Sequence, residues 1–203
     1  MTPLHDQSHF EASYEGLAPW DIGKPQPDFV NVADTVQGDI LDSGCGTGEN
    51  ALFFAARGHH VTGIDFVEAP IRMAQQKATE RGLSATFLVM DALSLADLPR
   101  VFDSVLDSGL FHVFDDPSRE RYVAGLASVL KPGGRLYLAC FSDQEPGTQG
   151  PRRVSLAELH QAFAQDFAID SITPTRFEVR PDLKDMAFSP GGPKAWFAVI
   201  ARK

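Results

Sequence analysis

Only two cysteines, Cys45 and Cys140, occur in 203 residues. That is too few for a disulfide framework, so both read as reduced thiols of a cytoplasmic protein. Cys45 lies inside a glycine-rich segment, where a nucleophile is the second reading of it. Cations are scarce: 18 Lys and Arg stand against 27 Asp and Glu, a net charge of -9. Phosphate backbones are gripped by clustered cations, and no run of them exists here, so no nucleic-acid partner is expected. No apolar run approaches membrane-spanning length, and the N-terminus lacks the basic start and hydrophobic stretch of a secretory signal, so no membrane association is expected. No metal is assigned to the chain. What remains is a composition of globular type, 43% apolar and 22% charged, in a length that suits one domain with a full core.

The segment that organises the chain is Ile40 to Asn50, ILDSGCGTGEN. Gly44, Gly46 and Gly48 alternate after a short apolar run and before a helical stretch. Glycine permits a sharp turn, and its missing Cβ lets a ligand lie against the main chain. The amides of residues 46 to 50 would then face an anionic group at the helix start. Asp42 puts a carboxylate beside that turn. The next strand, His59 to Asp65, ends in an acid placed to accept two ribose hydroxyl protons, which suits a dinucleotide and S-adenosylmethionine equally.

Taken in order, residues Met1 to Leu17 read as a short helix with Phe10 and Tyr14 one turn apart. Ala18 to Pro27, APWDIGKPQP, is a proline-stiffened extended connection, either a tether packed on the domain or a lid with Trp20 over a cofactor. Asp28 to Val36 is a helix, and Gly38 begins the first strand. Asn50 to Arg57 is a helix stopped by Gly58. Phe66, after the second strand, serves an adenine face or the core. A helix opens at Pro70 and closes at Gly82. Ala85 to Met90 reads as a buried third strand followed by Asp91 and Ala92, with Asp91 accepting from an adenine amine or starting a turn. Phe102 to Gly109 is the fourth strand, carrying Asp107 and Ser108 and, further on, His112 toward the same edge. Asp116 and Pro117 cap a helix whose Tyr122, Val123, Leu126, Val129 and Leu130 form an apolar stripe. Lys131 to Gly134 is a tight turn into a fifth strand, Arg135 to Phe141. Ser155 and Glu158 form a capping box. Phe167 to Val179 and Ala195 to Arg202 are two final strands pairing antiparallel. The fold expected is α/β: a Rossmann-like, seven-stranded, mostly parallel sheet with helices on both faces, the last strand antiparallel, and an N-terminal helical lid. Residues 1–27 are the lid segment and 28–203 the catalytic domain.

Asp42, Asp65, Asp91 and Asp107 all fall at strand C-termini, where open α/β sheets bind ligands. Four carboxylates suit a ligand with hydroxyls, amines and a cationic centre, and would repel a pyrophosphate.

ILDSGCGTGEN, VTGID, MDA, FDSVLDSG and LKPGGRLYL, in that order, resemble the motif series of the class I S-adenosylmethionine-dependent methyltransferases over residues 38–142. Pro19 to Pro27 resembles a narrower branch acting on small molecules: thiols, thiopurines, halides, quinols or heterocyclic toxins. The resemblance implies that Gly44, Gly46 and Gly48 line the methionine part of S-adenosylmethionine, with Asp42 near its amino group. It puts Asp65 on the ribose hydroxyls, Phe66 beside the adenine, Asp91 and Ala92 at the adenine edge, and Asp107 and Ser108 at the methionine end. In the narrower branch Trp20 packs near the cofactor and Gly23 shapes the entry. No NPPY-like run follows the fourth strand, which departs from nucleic-acid methyltransferases.

The expected reaction is methyl transfer to a heteroatom, sulfur, oxygen or nitrogen, of a small aromatic or heterocyclic acceptor. The acceptor pocket is expected from Phe10, Tyr14, Phe111, His112, Phe141 and the 180–194 loop. His112 is the candidate base, with a substrate-orienting or structural imidazole as its alternative. Two other functions compete. A nicotinamide oxidoreductase predicts GxGxxG where the chain has GxGxG, and a cofactor-binding regulatory protein would need no acceptor cavity. The sequence gives no oligomeric state.

Overall fold

The computed structural model describes residues 18–180 and 188–203; the expected helix at 1–17, with Phe10 and Tyr14, lies outside the described residues. The seven strands are β1 (Ile40–Ser43), β2 (Val61–Asp65), β3 (Thr86–Val89), β4 (Phe102–Ser108), β5 (Leu130–Phe141), β6 (Phe167–Arg176) and β7 (Lys194–Arg202). They form one sheet in the order β3-β2-β1-β4-β5-β7-β6. β1 pairs in parallel with β2 and β4, and β4 with β5; β7 inserts antiparallel between β5 and β6. This is the expected Rossmann-like sheet, with the order reversing beside β1.

The helices are α1 (Pro27–Asn31), α2 (Glu49–Ala55), α3 (Glu68–Glu80), α4 (Asp116–Val129) and α5 (Leu156–Ala162). Two apolar clusters flank the sheet. One joins Leu41, Val105, Leu136 and Leu138 to Tyr122, Leu126 and Val129 of α4; the other joins Ile40, Leu106 and Tyr137 to Leu52 and Phe54 of α2 and Ile71 and Ala74 of α3. Alternating side chains of the central strands feed opposite clusters, as the pleat requires. The capping box of α5 is complete, with the Ser155 hydroxyl accepting from the Glu158 amide and the Glu158 carboxylate from the Ser155 amide.

Several elements differ from the sequence reading. The third strand is not buried: only Phe87 is, because β3 is a sheet edge, and Leu88 and Val89 face solvent. The expected helix at 28–36 divides into α1 and a 3₁₀ turn, Ala33–Thr35. The cap of α4 is Asp115, whose carboxylate accepts from the Ser118 amide at 3.0 Å; Asp116 and Pro117 occupy its first turn. Lys131 to Gly134 is an excursion within β5 rather than a turn before it, since Leu130 already pairs with Phe102 and the register then shifts. β6 ends at Arg176. Residues 177–180 leave the sheet toward the N-terminal segment, where the Arg180 amide donates to the Pro19 carbonyl.

Candidate active site

A cavity of about 480 Å³ opens at the C-terminal ends of β1, β2 and β4. Its floor is the turn between β1 and α2. Gly44, Gly46 and Gly48 all have positive φ, at 71°, 52° and 84°. Gly44, Cys45, Gly46 and Thr47 line the cavity, and Gly48 does not. Gly48 is instead the N-cap of α2, and a Cβ there would lie 2.8 Å from Ala74 Cβ and 3.0 Å from the Phe87 ring. Its glycine is required by packing and backbone conformation rather than by ligand approach. The Cys45 thiol is pushed far up by burial and by Asp42 and Asp65, which is the opposite of an activated nucleophile.

Of the four strand-tip acids, Asp65 alone reaches the wall. Its Oδ2 accepts from the Gly46 amide at 3.0 Å and its Oδ1 from the Val67 amide at 2.9 Å. Both oxygens keep a further lone pair, so the carboxylate is held rigid yet able to accept from a ligand. Burial raises its pKa, and those amides counter the rise. Asp42 and Asp107 lie behind the wall and are fully buried. The Asp107 carboxylate accepts from the Leu110 and Phe111 amides and the Tyr122 hydroxyl, which makes it the organiser of the turn after β4. Burial pushes it up to about 6 against those donors. Asp42 is pushed up to about 7, by burial first and then by the charges of Asp107 and Asp65, with the Ala51 amide opposing. Its Oδ2 has no partner among the described residues. Asp91 does not line the cavity: its Oδ1 accepts from the Leu93 amide at 2.9 Å, capping the 3₁₀ turn Ala92–Asp97, and the wall there is Met90 and Ala92.

The proline-rich strap, residues 18–26, closes one side. Pro19, Trp20, Asp21, Ile22, Lys24 and Gln26 line the cavity, whereas Gly23 forms a turn outside it, its amide donating to the Asp21 carboxylate. Gln26 was not singled out by the sequence. It is 7% exposed; its Nε2 donates to the Glu178 carbonyl at 2.9 Å and its Oε1 accepts from the Glu178 amide at 3.0 Å. Its own amide donates to Asn50 Oδ1 in α2 at 3.0 Å. One side chain thus imitates a strand pair between the strap and the 177–180 segment, and the residue also ties them to the glycine turn's helix. No sequence signal separates it from an exposed glutamine.

The far end of the cavity is aromatic. Phe141, Phe177 and Phe188 meet there, with Phe141 lying 5.5 Å from Phe177 and 5.6 Å from Phe188, ring centre to ring centre. Phe177 and Phe188 come from the segments flanking residues 181–187. Phe111, expected in this pocket, is in the core, stacked on Phe163 at 5.5 Å with the Arg119 guanidinium over it at 4.4 Å. The reason is the turn Phe111–Val113, which sends Phe111 inward and leaves His112 and Val113 on the wall. His112 does not fit the role of general base. Its Nδ1 accepts from the Phe141 amide at 2.9 Å, which fixes the neutral ring's proton on Nε2. Burial and then the charges of Arg119 and Arg153 lower its pKa to about 3.

The chemistry of these residues fits S-adenosylmethionine. The Asp65 acceptors suit vicinal hydroxyls, the unpartnered Asp42 oxygen suits a nearby ammonium, and the apolar wall of Phe66, Met90 and Ala92 suits a purine.

The family described as "Methyltransferase domain" matches residues 40–134. The 2-heptyl-1-hydroxyquinolin-4(1H)-one methyltransferase of Mycobacteroides abscessus is 34% identical over 199 residues, 92% of this chain and 86% of its own. A probable thiol methyltransferase of Arabidopsis thaliana is 28% identical over 85% of this chain and 79% of its own. A structure solved for the conversion of a disulfide bond into a thioacetal group during echinomycin biosynthesis superposes with a TM-score of 0.85 at 33% identity, covering 98% of this chain and 93% of that one. The chain belongs to the class I S-adenosylmethionine-dependent methyltransferases, in the branch that methylates small molecules. Its cofactor is S-adenosylmethionine. Among the described residues no helix is long and apolar enough to cross a membrane.

Proposed function

We propose that this enzyme methylates a sulfur, oxygen or nitrogen of a planar aromatic or heterocyclic acceptor. The observation that carries the reading is the continuity of one cavity from the glycine turn and Asp65 to the aromatic end formed by Phe141, Phe177 and Phe188. When bound, S-adenosylmethionine supplies an electrophilic methyl that a lone pair displaces, leaving a neutral thioether. In this reading Asp65 holds the ribose hydroxyls, Phe66, Met90 and Ala92 flank the adenine, and Gly44, Gly46 and Ser108 border the methionine end. Asp42 sets the local charge from behind the wall. Trp20 and the strap, the described part of the expected lid, cover the cofactor and exclude water. Phe141, Phe177 and Phe188 align the acceptor, and alignment alone is worth roughly 7 to 11 kcal/mol in a displacement of this kind. The relatives' named substrates, an N-hydroxyquinolone and thiols, share a polarisable or ionised nucleophile on a compact molecule, which suits such a box. The acidic net charge supports a small molecule over a nucleic acid, and the two lone thiols support a cytoplasmic setting.

The test is calorimetry followed by turnover. Asp65→Ala should weaken S-adenosylmethionine binding roughly 100-fold, since two bonds to a charged acceptor at ~1.5 kcal/mol each are lost. Unchanged binding in a folded variant refutes the assignment. A panel of thiols, phenols and N-hydroxyquinolones should include at least one methylated product.

A further inference from the structure

The imidazole of His112 has features that methyl transfer to a generic aromatic does not require. Its Nδ1 is occupied by the Phe141 amide at 2.9 Å. Its Nε2 edge lies over Gly109, where a Cβ would come within 3.4 Å of Nε2 and 3.3 Å of Cε1. Gly109 and His112 both line the cavity, and Nε2 has no hydrogen-bond partner among the described residues. The flanking rings, Phe141 at 5.1 Å and 76° and Phe177 at 6.0 Å and 71°, meet the imidazole edge-on and carry no polar atom. An N–H facing an apolar box gains most when a ligand atom in the cavity accepts from it.

We propose that His112 is the specificity-determining contact of the acceptor end: a tautomer-locked Nε2–H donor that selects heteroaromatic acceptors presenting an unprotonated oxygen, sulfur or nitrogen. The proposal deepens the methyl-transfer reading and rests on it. An acceptor N–H at that position would set donor against donor, and an anionic oxygen or sulfur accepts more strongly than its protonated form, so the box favours the deprotonated acceptor. The acceptor's proton leaves to water before the reaction. Its lone pair then bonds to the methyl carbon while the carbon–sulfur bond of the cofactor breaks, with the electron pair going to sulfur. No protein group takes up a proton. The charged groups acting on the ring are Arg119 of α4 and Arg153 ahead of α5, both cations that oppose its protonation and favour an anion nearby. The elements contributing Phe141 and Phe177 present apolar rings to it.

Three readouts test this with the full chain and 1-hydroxyquinolin-4(1H)-one as probe. Nitrogen NMR of histidine-labelled protein should show one ring protonated on Nε2 from pH 5 to pH 9, its signal moving only when the deprotonated probe is added. An Nδ1-protonated ring, or no response to the probe, overturns the proposal. This readout needs no turnover, so it stands even if the methyl-transfer reading fails. In kinetics, His112→Phe should raise the probe KM roughly tenfold to hundredfold, with a smaller change in kcat and unchanged S-adenosylmethionine affinity. Equal losses in cofactor and probe binding would indicate a structural role and overturn it. Finally, wild type and variant should share one pH midpoint that follows the acceptor's own acidity. A wild-type limb that disappears in His112→Phe would make His112 a base and overturn the donor assignment. His112→Gln, which keeps a donor, should recover part of the KM loss if the variant with the phenyl ring folds poorly.

Discussion

Replacing Gln26 with alanine isolates what the strap contributes. The substitution removes two hydrogen bonds, to the carbonyl and to the amide of Glu178, at 2.9 and 3.0 Å, and keeps the backbone bond to Asn50. Leaving a buried polar group unpaired costs ~1–3 kcal/mol. Residue 178 borders the cavity and water can reach its backbone, so the lower figure applies to each group, about 2 kcal/mol together. Among the described residues the strap's other bonds include the Arg180 amide to the Pro19 carbonyl, the Arg180 guanidinium to the Asp21 carbonyl at 3.5 Å, and the exposed Lys24–Glu178 pair. The penalty should therefore fall on local opening of the strap rather than on global unfolding. Two kcal/mol corresponds to a roughly thirtyfold shift toward the open form. Hydrogen exchange should show residues 18–26 and 177–180 exchanging about that much faster while the sheet is unaffected. Acceptor KM should rise with them, because Phe177 adjoins the released segment. A fall in Tm with unchanged exchange in the strap and unchanged KM would refute the reasoning, since Gln26 would then be a global packing element.

Asp42 should make the cofactor-free protein less stable as pH rises. Its folded pKa, about 7, lies above the ordinary 3.8, so its contribution is intact below the ordinary value and lost as pH climbs through 7. Between pH 5 and pH 8 the loss is at most about 3 kcal/mol; Asp107, raised to about 6, acts in the same direction. Asp42→Asn should flatten the Tm-against-pH curve, and an unchanged slope would contradict the assignment. Gly48→Ala should lower stability by ~2–4 kcal/mol, from φ of +84° and contacts at 2.8 and 3.0 Å. At temperatures where that variant is folded, calorimetry should show S-adenosylmethionine affinity largely kept; an affinity loss without a Tm loss would return Gly48 to the ligand.

The seven strands and their mostly parallel sheet were legible because each βα unit carries its own local signals: a short apolar run, a glycine or acid at its tip, and a periodic helix after it. Asp65 was legible for the same reason, its position being fixed by the end of β2. Asp91 and Asp107 sit at equivalent tips but do not line the cavity: one Asp91 oxygen caps the turn at Leu93, and Asp107 accepts from Leu110 and Phe111 behind the wall. A carboxylate before a turn has the same sequence signature whether it caps that turn or faces a ligand. Phe111 and His112 were both expected at the pocket, and only His112 lines it, because a single 3₁₀ turn decides which of two adjacent side chains points inward and no periodicity reports it. Gln26 was invisible because its partner is the main chain of residue 178, and main-chain pairing across 152 positions leaves no trace in residue type.

The ring of Phe87 touches the places where two missing side chains would be: 3.0 Å from a Cβ at Gly48 and 2.7 Å from one at Gly63, which would also meet Cys45 Sγ at 2.9 Å. Gly63 has no positive φ, so only crowding forbids alanine there. These positions come from three separate segments yet form a single steric lock, and none of them can drift alone. A lineage that enlarges residue 63 must first shrink residue 87, and by doing so loosens the joint between α2 and α3 that sets the glycine turn.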